Sequence, residues 1–469
     1  MLELYDYQQL AVQQLRLAYA SGKQAPLLVL PTGGGKTICF TYMTQHAAHK
    51  GLRVLLLAHR KELVVQISEA LKLWGVTHGI ISPSHAATNH PVQVAMVQTL
   101  ARRIKLDRKR RFMFDLVIID EAHHATKDST WDAVIAHNVG AKLLGVSATP
   151  CRLDGKGLGI HAQGFFDEII VGPSVSELIE RGRLTRPVVY APDKMVDLSG
   201  VKVRGGDYVS GQLAQAVDKS AITGDAVKHY QRYCDKQPAI AFTVTVEHAG
   251  HVVEQFKAAG YQAAVLTGST PDKERAQMIK DLGIGKLQVL ASCNVVSEGT
   301  DIPTVAAAIL LRPTASYALA MQQIGRALRS APGKDKAIIL DHAGNTLKHG
   351  LPTDPVQWSL SGIAKRGKNV LIKRCSDCGA LISIRFKACP ECAHVFASGD
   401  TEADRDGLPV HQDGELVEMT PERLKELRKK RFKEERQAKS VEQLAEIGKA
   451  RGYQYPNQWA KKRFVELRS

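Results

Sequence analysis

The sequence predicts an α/β protein with two tandem parallel-sheet domains, followed by a four-cysteine unit and a basic helical tail. Three observations carry this. From residue 26 to about 150, apolar runs alternate with helical patterns. The same alternation returns between residues 239 and 340. After about residue 345 it stops, and clustered cysteines and charged stretches take over. Runs that are apolar throughout, rather than at every second position, suit strands covered on both faces, as in parallel sheets flanked by helices.

In the first half the strand candidates are LLVL (27–30), RVLLLA (53–58), VQVAMV (92–97), FDLVIID (114–120) and KLLGVS (142–147), with ELVVQISEALKLW (62–74) as a helix between them. In the second half they are AIAFTV (239–244), QAAVL (262–266), LQVLAS (287–292), VAAAILL (305–311) and KAIIL (336–340). The helical pattern ASYALAMQQIGRALR separates the last two and is expected to put Arg326 and Arg329 on one face. Residues 173–225, more polar and containing Gly205 and Gly206, read as a connecting region. Residues 398–414 are polar and acidic and read as a linker. Thr420 is the expected N-cap of the charged helix that starts at Pro421. Beyond it, Tyr453, Tyr455 and Trp459 are expected to form a small core.

The chain has 469 residues, which fits about three domains of ~150 residues each. Its net charge of +16 fits a polyanionic partner, nucleic acid or an anionic surface. No apolar run reaches the ~18 residues of a membrane span, and MLELYDYQQL lacks the basic and apolar regions of a secretory leader. The expectation is a cytoplasmic protein with no membrane partner. Of the eight cysteines, Cys39, Cys151, Cys234 and Cys293 are scattered and four are clustered, a usage that fits a reducing compartment.

The first candidate site is PTGGGKT, Pro31 to Thr37, between a strand and a helix. Thr32, Gly33, Gly34 and Gly35 let the backbone wrap an anion with converging N–H groups. Lys36 supplies a mobile positive charge, Thr37 a hydroxyl for Mg²⁺, and the following helix its N-terminal dipole. The pattern departs from the full phosphate-loop consensus at its first position, where Leu30 stands. The strand FDLVIID ends in Asp120, Glu121, Ala122 and His123. Asp120 is placed to hold Mg²⁺, and Glu121 to orient and deprotonate an attacking water.

PTGGGKT, the DEAH run and Ser147–Ala148–Thr149 resemble motifs I, II and III of the superfamily 2 helicases. Tyr7–Gln8 resembles the upstream glutamine motif, with Gln8 reading adenine; an arginine often stands in that pattern where this chain has Tyr5. AHRKELVVQ (58–66) resembles motif Ia and VQTL (97–100) motif Ib, which implies nucleic-acid contacts from Arg60, Lys61 and Thr99. AFTVTVEHA (241–249) matches motif IV in position, and LTG (266–268) implies backbone contacts from Thr267 and Gly268. Ser297–Glu298–Gly299 and TDIPTVAAAIL resemble motif V, with Gly299 and Asp301 toward the nucleotide. QQIGRALR (322–329) resembles motif VI, which implies that Gln322, Arg326 and Arg329 face a nucleotide held by the first domain. In this pattern His123 belongs to the catalytic set, and Ser147 and Thr149 couple hydrolysis to movement. Arg329 is expected as the finger on the γ-phosphate and Arg326 as a phosphate clamp.

CSDCGALISIRFKACPEC places Cys375, Cys378, Cys389 and Cys392 in two knuckles, which fits tetrahedral Zn²⁺. With the core motifs, SATPCRLDGKGL (147–158) and SVSELIERGRL (174–184), this ribbon resembles RadD-like helicases of bacteria and phages. The resemblance implies a RecA-like ATP-binding domain over 1–172, a connecting region over 173–225 and a second RecA-like domain over 226–345. A zinc ribbon over 373–397 and a basic helical tail over 420–469 follow. The expected activity is an ATP- and Mg²⁺-dependent helicase or translocase acting on single-stranded or branched DNA in repair, recombination or replication. RNA as substrate, a restriction-type translocase subunit, a non-catalytic clamp and a protein partner such as a single-strand-binding protein stay open as alternatives.

Overall fold

The computed structural model describes residues 3–86, 88–106, 113–152, 157–192, 198, 201–204, 206–217, 224–293, 305–361, 372–374, 381–383, 417–438, 440–450 and 456–467. The first domain runs α1 (Asp6–Ala20), β1 (Pro26–Val29), α2 (Lys36–His49), β2 (Val54–Ala58), α3 (Lys61–Leu73), β3 (Gly79–Ile81), β4 (Val92–Met96), α4 (Val97–Leu106), β5 (Leu116–Ile119), α5 (Thr130–His137), β6 (Lys142–Ser147) and β7 (Glu168–Val171). Its seven strands form one parallel sheet in the order β3-β4-β2-β5-β6-β1-β7. The pleat explains the unbroken apolar runs. Leu28, Leu56, Ile118 and Leu144 pack on one face, and Leu27, Leu55, Val117 and Ile119 on the other. Each such side chain, fully buried, stabilises the fold by about 1.5–3 kcal/mol.

A short helix α6 (Val175–Glu180), capped by Ser174 in a capping box with Glu177, leads out of this domain. The next strand, β8 (Arg186–Ala191), lies inside the stretch that sequence reads as connecting, yet it pairs with the second sheet. A hairpin of β9 (Val203–Arg204) and β10 (Asp207–Tyr208) follows, then α7 (Ser210–Val217) and α8 (Gly224–Cys234). The second domain continues with β11 (Ala239–Phe242), α9 (Val246–Ala258), β12 (Ala263–Leu266), α10 (Asp272–Gly283), β13 (Val289–Ser292), β14 (Ala307–Leu310), α11 (Tyr317–Leu328), β15 (Lys336–Asp341) and α12 (Asn345–His349). Two further strands, β16 (Ile372–Arg374) and β17 (Leu381–Ser383), pair antiparallel and bracket residues 375–380. Strand β18 (Val417–Glu418) returns to the second sheet, whose order is β12-β13-β11-β14-β15-β8-β18, with β18 alone antiparallel. The strand candidates of the sequence all appear; its pattern does not mark β3, β7, β8, β9, β10, β16, β17 or β18, which are short or only partly buried.

Thr420 caps α13 (Pro421–Gln437) by accepting the Arg423 N–H at 3.2 Å. Helices α14 (Val441–Ala450) and α15 (Pro456–Glu466) close around Leu444, Ala445 and Ala460, with Trp459 packed against them. Tyr453 and Tyr455 lie outside the described residues, as do Cys375, Cys378, Cys389, Cys392, Gly299 and Asp301. Among the described residues no helix is long and apolar enough to cross a membrane.

Candidate active site between the two domains

Parallel strands deliver their loops to one edge of a sheet, and here that edge collects the phosphate loop and the acidic pair. The loop after β1 turns through Gly33 (φ 83°) and Gly35 (φ 82°), left-handed values that glycine adopts without strain. A Cβ on Gly35 would lie 2.2 Å from Gln8 Nε2, so a side chain there would displace the Gln8 amide as well as strain the left-handed turn. Gly35 is also the N-cap of α2, which begins at Lys36 and aims its N-terminal amides into the cleft. Gln8 is buried; its Oε1 accepts the Tyr5 N–H at 3.0 Å and its Nε2 lies 3.5 Å from the Gly34 carbonyl. It therefore braces the loop against the start of α1.

Asp120 follows β5 and accepts the Glu121 N–H at 2.9 Å. Glu121 stands at φ 48°, uncommon for a side-chain-bearing residue. That turn aims its carboxylate at His123, with Oε2 3.4 Å from Nδ1 and no hydrogen bond made by that oxygen. His123 Nδ1 shares a hydrogen bond of 3.0 Å with Ser147 Oγ, which also accepts the Thr149 N–H at 3.2 Å. His123, Ser147 and Thr149 thus form one buried chain between the ends of β5 and β6, with the half-buried Glu121 against it.

The second domain closes the site with α11. A Cβ on Gly325 would come 2.8 Å from Thr32 Cβ, so this glycine lets the helix lie directly on the phosphate loop. Gln322 and Arg326 are buried on that helix, and the Gln322 amide nitrogen has no hydrogen-bond partner. Arg329 departs from the sequence expectation of a shared helical face. The helix ends at Leu328 and Arg329 is its extended C-cap (φ −61°, ψ 133°). It forms an antiparallel bridge with Leu184, and the Thr185 N–H donates to the Leu328 carbonyl at 2.7 Å. Lys334 Nζ donates to the carbonyls of Val305, Ala327 and Arg329, fixing that turn. Burial pushes the Arg329 guanidinium below its ordinary pKa, and burial together with Arg329 pushes Lys334 down to about 8.

These groups line one cleft of about 500 Å³, which brings together Thr32, Lys36, Thr37, Asp120, Glu121, Gln322, Arg326 and Arg329. Arg183 also lines it, unread from sequence; its guanidinium lies 3.5 Å from the centre of the Tyr5 ring. No periodicity marks Arg183, which reaches the cleft only because Arg183–Thr185 pairs with the end of α11. The donor set fits a Mg²⁺-nucleotide: a glycine cradle with a lysine, a hydroxyl and a carboxylate for the metal, and guanidinium groups opposite.

The residues expected at nucleic acid lie apart from this cleft. Arg60 is the N-cap of α3, and Lys61 pairs with Asp272 of the second domain at 2.6 Å. Thr99 is half-buried on α4, and Thr267 and the exposed Gly268 follow β12. A second cross-domain ion pair joins Glu62 to Arg275.

Residues 1–152 match the family described as "Type III restriction enzyme, res subunit", and residues 225–331 the "Helicase conserved C-terminal domain". A "51.5 kDa protein" of Lactococcus phage (isolate 7-9) is 32% identical over 407 residues, covering 86% of this chain and 84% of the phage protein. The "Putative ATP-dependent helicase IRC3" of Saccharomyces cerevisiae is 29% identical over 362 residues, 73% of this chain and 51% of its own length. This chain therefore spans about half of the yeast protein. Among solved structures, a fragment of a "putative HsdR subunit of a type I restriction enzyme" from Vibrio vulnificus YJ016 shares the fold with a TM-score of 0.56 at 20% identity, covering 74% of this chain and 65% of that one. The paired helicase domains, the two-domain fold and these relatives lead to one conclusion: the chain belongs to the superfamily 2 helicases and is an ATPase of that family.

Proposed function

We propose that the protein is an ATP-driven DNA helicase or translocase in which hydrolysis requires closure of the second domain on the first. The observation that carries this reading is the facing of Arg326 and Arg329 across one cleft from Lys36, Asp120 and Glu121. Lys36 and the loop amides bind the phosphates, and Glu121 takes the proton of the attacking water. Thr37 and Asp120 would hold Mg²⁺, which neutralises phosphate charge when bound. Planar guanidinium groups then meet the charge that spreads over the equatorial oxygens of a loose phosphoryl transition state. Because they belong to the other domain, turnover depends on closure and can be coupled to movement.

DNA is favoured over RNA by the likeness of the first domain to restriction subunits. The net charge of +16 supports a polyanionic track, with Arg60, Lys61, Thr99, Thr267 and Gly268 along it. Cys375, Cys378, Cys389 and Cys392 bind one Zn²⁺ in the manner of RadD-like proteins; the spacing of the four cysteines in two C-x₂-C pairs supports this. A zinc assay should return one metal per chain, and Cys378→Ser should lose it. ATPase rates with single-stranded, duplex, forked and RNA substrates test the main reading. Stimulation by DNA above RNA is expected. Stimulation by RNA alone would make it an RNA motor, and no stimulation at all would overturn the motor reading.

A further inference from the structure

We infer that the hairpin of β9 and β10, with its described neighbours 201–204 and 206–213, is a nucleic-acid-contacting arm, with Lys202 and Arg204 as its phosphate contacts and Asp207 as the residue through which it positions α11. The inference rests on the motor reading above and adds a contact surface that the helicase motifs do not include.

The arm is fastened to the correct edge of the molecule. Leu198, Val201 and Leu213 bury themselves against Val244, which follows the C-terminal end of β11. Strands β11, β12 and β14 are parallel neighbours or near neighbours in one sheet, so their C-terminal ends open on the same edge. That is the edge on which open α/β sheets bind ligands, and Thr267 and Gly268 emerge there. The hairpin is short, pairing Arg204 with Asp207 and Val203 with Tyr208. Lys202, Val203 and Arg204 are exposed in succession, whereas the carboxylate of Asp207 is turned inward. The exposed run of the hairpin is therefore basic, and it suits a phosphate backbone.

The inward side of the arm reaches the catalytic helix. Asp207 accepts three hydrogen bonds: from Arg312 at 2.8 Å, from Thr314 Oγ1 at 2.8 Å and from the Ala315 N–H at 2.7 Å. Residues 311–316 join β14 to α11. Within that stretch, Thr314 Oγ1 accepts the Ser316 N–H, and Ser316 caps α11 by accepting the Leu319 N–H at 3.2 Å. The Thr314 N–H is held from the other side by Asn345 Oδ1 at 2.9 Å. Asp207 is thus a positioning residue. It fixes the N-terminus of the helix that carries Gln322 and Arg326 and leads into Arg329 at its C-cap, and it belongs to the same hairpin as the exposed cations. A pull on the hairpin by bound nucleic acid is transmitted to the arginines through this carboxylate.

The test uses the full chain and a single-stranded oligothymidylate, reading ATPase rate against DNA concentration and DNA affinity against salt. Lys202→Ala/Arg204→Ala should raise the half-stimulating DNA concentration several-fold. It should also flatten the log–log salt dependence by about 1.4, two phosphate contacts at roughly 0.7 each for a single strand. Asp207→Ala should lower the DNA-stimulated kcat more than the DNA-free rate, with the KM for ATP little moved. Asp207→Asn, which keeps acceptors for Thr314 and Ala315, should restore part of the loss. A salt slope unchanged in the double variant overturns the arm, and equal losses of stimulated and DNA-free rates in both Asp207 variants overturn its coupling role. A wild-type enzyme that DNA does not stimulate would overturn the motor reading and this inference together. A stimulated wild type with unaltered variants would overturn the inference alone.

Discussion

Lys61 of the first domain and Asp272 of the second form an ion pair across the interdomain boundary, Nζ to Oδ2 2.6 Å. The Lys61 ammonium holds the Asp272 carboxyl below its usual pKa. Both side chains are largely exposed, so the pair contributes little to stability. Its consequence is for binding: a lysine that motif Ia resemblance assigns to a nucleic-acid phosphate already carries an anionic partner. Asp272→Asn should therefore tighten DNA binding and steepen its salt dependence by about one unit, one further phosphate neutralised. Glu274→Gln removes a charge from the same exposed stretch of α10 and serves as the control. Equal effects of the two substitutions in anisotropy titrations would refute the competition.

Lys36→Ala and Glu121→Gln should both abolish turnover, by different routes. Lys36 opens α2 beside the glycine cradle, so its loss should weaken ATP binding as well as hydrolysis. Glu121→Gln keeps the side-chain volume and should leave ATP bound while slowing the chemical step by about 10²–10⁴, the usual value of a positioned base. Nucleotide-binding titrations beside steady-state rates separate the two. Normal turnover in either variant would be incompatible with the proposed roles.

Arg329→Ala should cost more in kcat than Arg326→Ala, within the ~10³–10⁵ range of arginine fingers. Arg329 leaves the helix at its C-cap and is held by the bridge to Leu184, whereas Arg326 lies buried along α11 beside Gln322. Arg326→Ala is expected to raise the KM for ATP alongside its effect on rate. A larger kcat loss at Arg326 than at Arg329 would reverse the assignment of finger and clamp.

Much of this site is written locally in the chain. The phosphate loop is one continuous stretch because a single strand-to-helix turn must wrap the anion, and the acidic pair sits at the end of one strand. Meetings of distant segments are not written in local pattern, and only the motif VI resemblance anticipates one of them, α11 against the phosphate loop. Strand β8 sits beside β15 only through tertiary pairing, Arg183 lines the cleft next to the bridge that Leu184 makes with Arg329, and Asp207 meets Arg312 from more than a hundred residues away. Arg329 follows the same logic. Helical periodicity places it on a face with Arg326, but the pairing of Leu184 and Thr185 with the end of α11 turns the chain extended at Arg329 itself.

Ser147→Ala should uncouple hydrolysis from the rest of the cycle. Its hydroxyl is fully buried and joins His123 Nδ1 to the Thr149 N–H. Removing it leaves two buried polar groups without that partner, a cost of about 1–3 kcal/mol each where no water replaces it. The expected phenotype is retained ATP binding with a lower ratio of DNA displaced or traversed to ATP hydrolysed. Strand-displacement or triplex-displacement assays run beside phosphate release measure that ratio, and an unchanged ratio would argue against a coupling role.

Lys334 supplies the pH-dependent prediction. It donates to three carbonyls around the end of α11, and burial with the neighbouring Arg329 lowers its pKa from the ordinary 10.5 to about 8. Between pH 8 and 10.5 the folded chain therefore holds fewer protons at this site than the unfolded chain, and stability rises with pH across that window. Below pH 8 both states are protonated and the unfavourable cost of burying the ammonium is present in full. Lys334→Met removes the titration altogether. Whatever offset the lost hydrogen bonds create at pH 7, the wild type should gain on the variant as pH rises from 8 to 10. Paired urea-unfolding midpoints at pH 7 and pH 10 measure the difference. A constant offset would overturn the lowered titration of Lys334 and with it the burial of its ammonium in the turn that holds Arg329.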